Sequence, residues 1–201
     1  MADEHEAPLS PDSLLQSEFA YVAQSAFQAN EDRARVTTFY LVNLGSFAAA
    51  LYSSQLANSV QADTAVLFGG LFLVLSITGV LTILQLIRLR QAWFESVAAM
   101  NQIKEYYRAR FPALKLEQAF RWQKISTPAV FKPWSVSFLL VLQVALLSGV
   151  SLGAAVYYFG MMFRYSLWLG APLVGIAYVG AQMLLYRHLL RERRKIKKPI
   201  A

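Results

Sequence analysis

Residues 67–87 read LFGGLFLVLSITGVLTILQLI, with no Asp, Glu, Lys or Arg. The apolar residues do not alternate with polar ones, so this is not a membrane-barrel strand, which is about 10 residues long and alternates. As a helix the stretch is long enough to cross a hydrocarbon core, which takes about 20 residues for about 30 Å. A soluble helix of this length would keep one polar face toward water, and here there is none.

The rest of the chain repeats the pattern. Residues 36–62, 64–87, 133–163 and 165–186 are free of charged residues. The chain is 56% hydrophobic and 15% charged, against about 25% charged in soluble proteins. These observations predict an all-α integral membrane protein with four transmembrane helices, at about 37–57, 65–87, 136–158 and 166–186. The helices form two hairpins, 36–87 and 134–186, with cytoplasmic helical extensions.

Charge sets the expected orientation. Residues 88–132 hold nine bases and three acids, and residues 187–201 hold seven bases and one acid. The turns between paired spans hold only Asp63 and Arg164. Lys and Arg stay on the cytoplasmic side, so both termini and the 88–133 connection are expected there. The membrane is the inner (plasma) membrane if the source is bacterial. Arg33, Arg35, Arg88, Arg90 and Arg187 fall at span ends. With Arg191, Arg193, Arg194, Lys195, Lys197 and Lys198 of the polybasic tail they are expected to hold the topology and to meet anionic lipid headgroups, at about 1 kcal/mol for each base near the leaflet. The tail has no interleaved aromatics for base stacking, and nucleic-acid binding is not expected.

The segments outside the spans also read as helical. Residues 1–11 are acidic and expected to be disordered. In LSPDSLL, Ser10, Pro11 and Asp12 suit a helix start, and no Pro or Gly interrupts 12–44. A helix over 12–35 is therefore expected to continue into the first span. Residues 91–111 form a second amphipathic stretch ending near Pro112, with a shorter helix at about 114–125. The acidic first segment, with Phe19 and Val22 on its apolar stripe, is expected to dock on the basic second one through Trp93, Val97 and Met100.

Small residues at four-residue spacing mark expected helix-packing faces. They are Gly45 and Ala49 in the first span, Ala145, Gly149 and Gly153 in the third, and Ala171 and Gly175 in the fourth. The polar residues of the spans, Asn43, Gln85, Gln143 and Gln182, are expected to bond between helices.

Catalytic patterns are missing from the sequence. There is no cysteine, and the histidines are His5 and His188. Neither a P-loop, HExxH nor GxSxG occurs. Glu95, Glu105 and Glu117 show no catalytic pairing. No cofactor, metal or catalytic residue is expected, and the chain is not expected to be an enzyme. The layout of residues 12–111, a leading helix, a membrane hairpin and a following helix, is similar to that of the SLATT proteins, two-span effectors of nucleotide-signalled defence. The second hairpin departs from that plan. The expected function is a non-catalytic membrane interaction or scaffold subunit that self-associates. The alternative is a pore-forming or gated-channel effector with a cytoplasmic sensor region.

Overall fold

A computed structural model describes residues 11–57, 62–115, 134–162 and 169–196 of the chain. Among these residues the structure is helical and contains no strand. The elements are α1 (Pro11–Ala57), α2 (Ala62–Arg110), a 3₁₀ turn (Pro112–Leu114), α3 (Val136–Met162) and α4 (Gly170–Ile196). Of the expected 114–125 helix, all but the end of that turn lies outside the described residues, as do residues 1–10.

The helix ends follow local chemistry. Proline supplies a helical φ where no N–H partner is needed, and α1 begins at Pro11 with Asp12 in its first turn. The α2 helix stops ahead of Pro112, and Arg108 and Arg110 lie in its last turn, where cations complement the helix dipole. The Phe111 N–H still reaches the Tyr107 carbonyl at 3.0 Å. Ser135 precedes α3, and its hydroxyl accepts the Phe138 N–H at 3.3 Å, an N-cap bond. The α4 helix starts four residues later than expected and runs on to Ile196, so the first part of the basic tail is helical.

The chain divides into two units, Met1–Glu31 with Gln91–Pro128, and Asp32–Arg90 with Ala129–Ala201. In the second unit, segments of all four helices share one core. Tyr40 from α1, Ile83, Leu86 and Ile87 from α2, Val141, Val144 and Ala145 from α3, and Tyr186 and Leu190 from α4 are buried together. A second cluster joins Ala65, Phe68 and Tyr158, with Leu51, Leu71 and Phe72 packed against it. Numbering rises along α1 and falls along α2 from the first cluster to the second, so these segments are antiparallel.

The helices α3 and α4 approach through their small residues. A Cβ built on Gly175 would lie 2.7 Å from the Gly149 carbonyl oxygen, and one on Gly153 would lie 3.0 Å from that of Ala171. Only backbone fits in such a gap. Gly79 of α2 lies directly beneath Ser148, and the Tyr40 hydroxyl is 3.0 Å from where its Cβ would stand.

The surface is apolar where a soluble protein would be polar. Phe39, Leu67, Ile77, Val150, Leu173 and Leu184 are all more than half exposed, while Ser76, Ser148, Ser151 and Gln182 are buried. Apolar groups face outward and polar groups inward, as a lipid solvent requires. The helical stretches Ala65–Arg110, Val136–Met161 and Gly170–Leu190 are each long and apolar enough to cross a membrane. The α1 helix does not reach the same measure. Thr37, Thr38, Asn43, Ser46 and Ser53 dilute its uncharged stretch.

In the first unit, Val22 and Ala26 of α1 are buried with Val97 and Met100 of α2, and Phe19, Ala23, Trp93 and Ala99 pack against them. Asn101 and Lys104 are buried as well. Lys104 lies on the apolar stripe of α2, and its long methylene stem can cover apolar surface.

Candidate functional site

The densest polar chemistry of the second unit lies where the charge-free runs end. Arg33 precedes the first run, Arg90 follows the second, Ser135 and Ser137 open the third, and Tyr186 closes the fourth. The fold brings these five residues together. Arg33 donates from Nη1 to the Ser137 hydroxyl at 2.8 Å. Arg90 donates from Nη1 to the Tyr186 hydroxyl at 2.9 Å and to the Ser135 hydroxyl at 3.3 Å. Arg90 is only 5% exposed and Tyr186 only 1%. Arg33 is half-buried.

The two guanidinium groups feel each other. Burial pushes the Arg33 pKa down from its ordinary value, and the Arg90 charge pushes it further the same way. Arg33 stays protonated all the same, because an arginine does not lose its proton in a protein. The result is two positive charges held close together, with the N-terminal end of α3 at Ser135–Val136 beside them. That helix end carries a partial positive charge of its own.

Two of the other three span-end arginines line a groove. Arg35 and Arg88 are exposed and line a groove of about 520 Å³ with Asp32, Val36, Leu81 and Gln85. Arg35 lies 4.0 Å from the Asp32 carboxylate, a loose surface pair of about 0–1 kcal/mol. The expected set of headgroup arginines therefore falls into two classes. Arg35, Arg88 and Arg187 are exposed, while Arg90 is sealed in the bundle. The side chains of Arg191, Arg193, Arg194 and Lys195, and all of Lys197 and Lys198, lie outside the described residues.

Further into the bundle, Ser148 donates to the Gln182 side-chain oxygen at 2.9 Å, joining α3 to α4. Tyr178 donates to the Ser76 carbonyl at 3.3 Å, joining α4 to α2. The Ser76 hydroxyl and the Gln182 Nε2 are buried without a hydrogen-bond partner among the described residues, and the Tyr40 hydroxyl lies against Ser151. Among the described residues, only Gln182 of the four polar residues expected to bond between helices does so. Asn43 bonds back to the Phe39 carbonyl of its own helix at 3.0 Å, and Gln85 and Gln143 are exposed.

The small-residue faces also divide. Gly149, Gly153, Ala171 and Gly175 meet each other within the chain, and Ala145 is fully buried. Gly45 has nothing within 4 Å of its Cβ position, and Ala49 is exposed. Residue spacing could have flagged all seven. It could not flag Ser135, Ser137 and Tyr186, because a serine or tyrosine at a span end is ordinary.

No family model, no curated protein and no solved structure matches this chain.

Proposed function

We propose that the chain is a four-span, non-catalytic scaffold subunit of a membrane, self-associating through its outer faces, with residues 11–31 and 91–115 as its cytoplasmic recognition module. The fourth span is α1. Its residues 36–57 carry no charge, and Tyr40 and Leu51 join the clusters formed by the other helices. Four of the five polar side chains that dilute it bond back to its own carbonyls. Thr37 reaches Arg33, Ser46 reaches Val42 and Ser53 reaches Ala49, each at 2.9 Å. A hydroxyl satisfied inside its helix costs little in lipid.

The observation that carries the scaffold reading is where close packing is used. The glycine seam between α3 and α4 is closed inside one chain, whereas Gly45, Ala49 and the amide of Gln143 face outward. An outward amide within a span gains from a partner, at about 0.6–2 kcal/mol for an interhelical bond. The described spans hold no ionisable group other than tyrosine between residues 36 and 57, 64 and 87, 136 and 162, or 169 and 186. Ion-coupled carriers and voltage sensors depend on such groups.

Size measurement in mild detergent tests this reading. A complex of two or more copies is expected, reduced toward the monomer by Gln143→Leu combined with Gly45→Leu. A monomer at all concentrations would remove self-association.

A gated pore is the second reading. It is favoured by the buried polar atoms of Ser76 and Gln182 that lie inside the bundle without partners among the described residues. Liposomes carrying the protein separate the two readings. The scaffold leaves them tight, whereas a pore conducts and changes its conductance in Gln182→Leu.

A further inference from the structure

We propose that the groove between α1 and α2 holds one anionic phospholipid, with the headgroup phosphate on Arg88 and one acyl chain along Leu81, Leu84 and Val36.

Two helix faces build the groove. Leu81, Leu84, Gln85 and Arg88 recur at three- and four-residue spacing on α2, and Asp32, Arg35 and Val36 do so on α1. Together they line a groove of about 520 Å³, inside the range of about 300–1,000 Å³ usual for ligand sites. All of them belong to the second unit.

The chemistry changes along the groove. Arg88 follows the charge-free run 64–87, and Arg35 precedes the run 36–62. The antiparallel pairing of the two helices sets both arginines at one end. Leu81 stands two turns inward from Arg88, roughly 10 Å along the helix axis. A charged end followed by an apolar body is the order of a phospholipid, whose phosphate lies where a span ends and whose chain lies deeper. A soluble anion would use the charged end alone. Two copies docked through this face about an axis along the membrane normal would hold Arg88 at the same depth as its symmetry mate, like charge against like charge.

Charge selects the headgroup. Two bases and one acid leave the rim with one positive charge in excess. Arg35 leans on the Asp32 carboxylate at 4.0 Å. Arg88 is exposed and makes no hydrogen bond or ion pair among the described residues. Its five N–H donors are therefore available, and a guanidinium fork matches phosphate oxygens in two-pronged geometry. A phosphatidylcholine headgroup brings its own cation to a rim that is already positive, so a headgroup of net negative charge is preferred. Basic residues attract an anionic leaflet in general; the groove adds a place for one particular molecule. The proposal rests on the chain lying in a membrane.

The test uses the full chain, which has no cysteine, with a bimane fluorophore on Leu81→Cys. Leu81 is 53% exposed, so the change leaves the core untouched. The protein is placed in phosphatidylcholine vesicles, and chain-brominated phosphatidylglycerol or chain-brominated phosphatidylcholine is added as quencher. Phosphatidylglycerol should quench at about one-fifth of the mole fraction that phosphatidylcholine needs, the factor one basic residue supplies at an anionic surface. A label on Leu184→Cys, 67% exposed on α4, should show a smaller preference, set by the basic tail. Arg88→Gln should lower the preference at position 81 to that of the control, and Arg88→Lys should keep part of it. An equal preference at the two positions, or an unchanged preference in Arg88→Gln, overturns the proposal. A label at position 81 that neither lipid quenches, while the label at 184 is quenched, gives the groove to a second copy and overturns it too. Quenching by neither lipid at either position would remove the membrane reading along with the site.

Discussion

Gly149 of α3 and Gly175 of α4 face each other backbone to backbone. A side chain on either would strike the carbonyl oxygen of the other, at 2.9 Å for Gly149 and 2.7 Å for Gly175. The seam continues to Gly153 and Ala171. In sequence the two glycines lie in separate spans and look like generic dimerisation faces. In the fold they belong to one contact within a single chain.

Gly149→Leu is therefore expected to lower stability without changing the oligomeric state. Overpacking a tight contact costs about 1–3 kcal/mol, and here the added side chain would meet both the Val179 side chain and the Gly175 carbonyl oxygen, the second of which, as backbone, yields less readily. Thermal unfolding and size in detergent, measured together, check this. A fall in size with an unchanged midpoint would place the seam between chains.

Tyr186→Phe removes the hydroxyl that accepts from Arg90 at 2.9 Å. The arginine stays buried with one acceptor fewer. A lost bond to a charged group costs about 1.5–3 kcal/mol, so a measurable loss of stability is expected from this single oxygen. The ring stays, so the core of Tyr40, Ile83 and Val144 should hold. An unchanged unfolding midpoint would mean that Arg90 finds its stabilisation elsewhere.

In the first unit, Val22 and Val97 share one buried cluster with Ala26 and Met100. The chain has no cysteine, so Val22→Cys with Val97→Cys introduces the only thiols. Oxidation should join them, visible as a shift in mobility that a reductant reverses. Each valine alone contributes about 1.5–3 kcal/mol through burial, more than the exposed ion pairs at the surface, so the crosslink should form at low and high salt alike. Its absence at every salt concentration would show that the two segments lie apart in solution.

Reporter fusions at Met1, Asn58, Ser126 and Ala201 test the membrane crossing of α1 directly. With four spans only Asn58 is outside. If α1 does not cross, three spans remain and Met1 falls on the face of Asn58, opposite Ser126 and Ala201. An external signal at Ser126 would end the four-span reading.

The sequence on its own determined the class of this protein. Uncharged runs of about 20 residues are legible one residue at a time, because the cost of burying a charge in lipid is a property of the residue and not of its neighbours. The same holds for the start of α1 at Pro11 and the end of α2 before Pro112, which depend on backbone chemistry within one turn. The apolar stripes of residues 19–26 and 93–100 were legible from helical period, and so was the odd position of Lys104. Tertiary structure alone decided which small residues meet and which arginines are buried. Gly45 and Gly149 have the same spacing pattern, yet one faces open space and the other a carbonyl oxygen. Arg88 and Arg90 are two residues apart, yet one is exposed and the other sealed against Tyr186. Two residues along a helix turn a side chain by about 200°, from 3.6 residues per turn. Which of those directions points inward is set by where the other three helices stand. That is a fact of packing across 96 residues of chain, and no local pattern contains it.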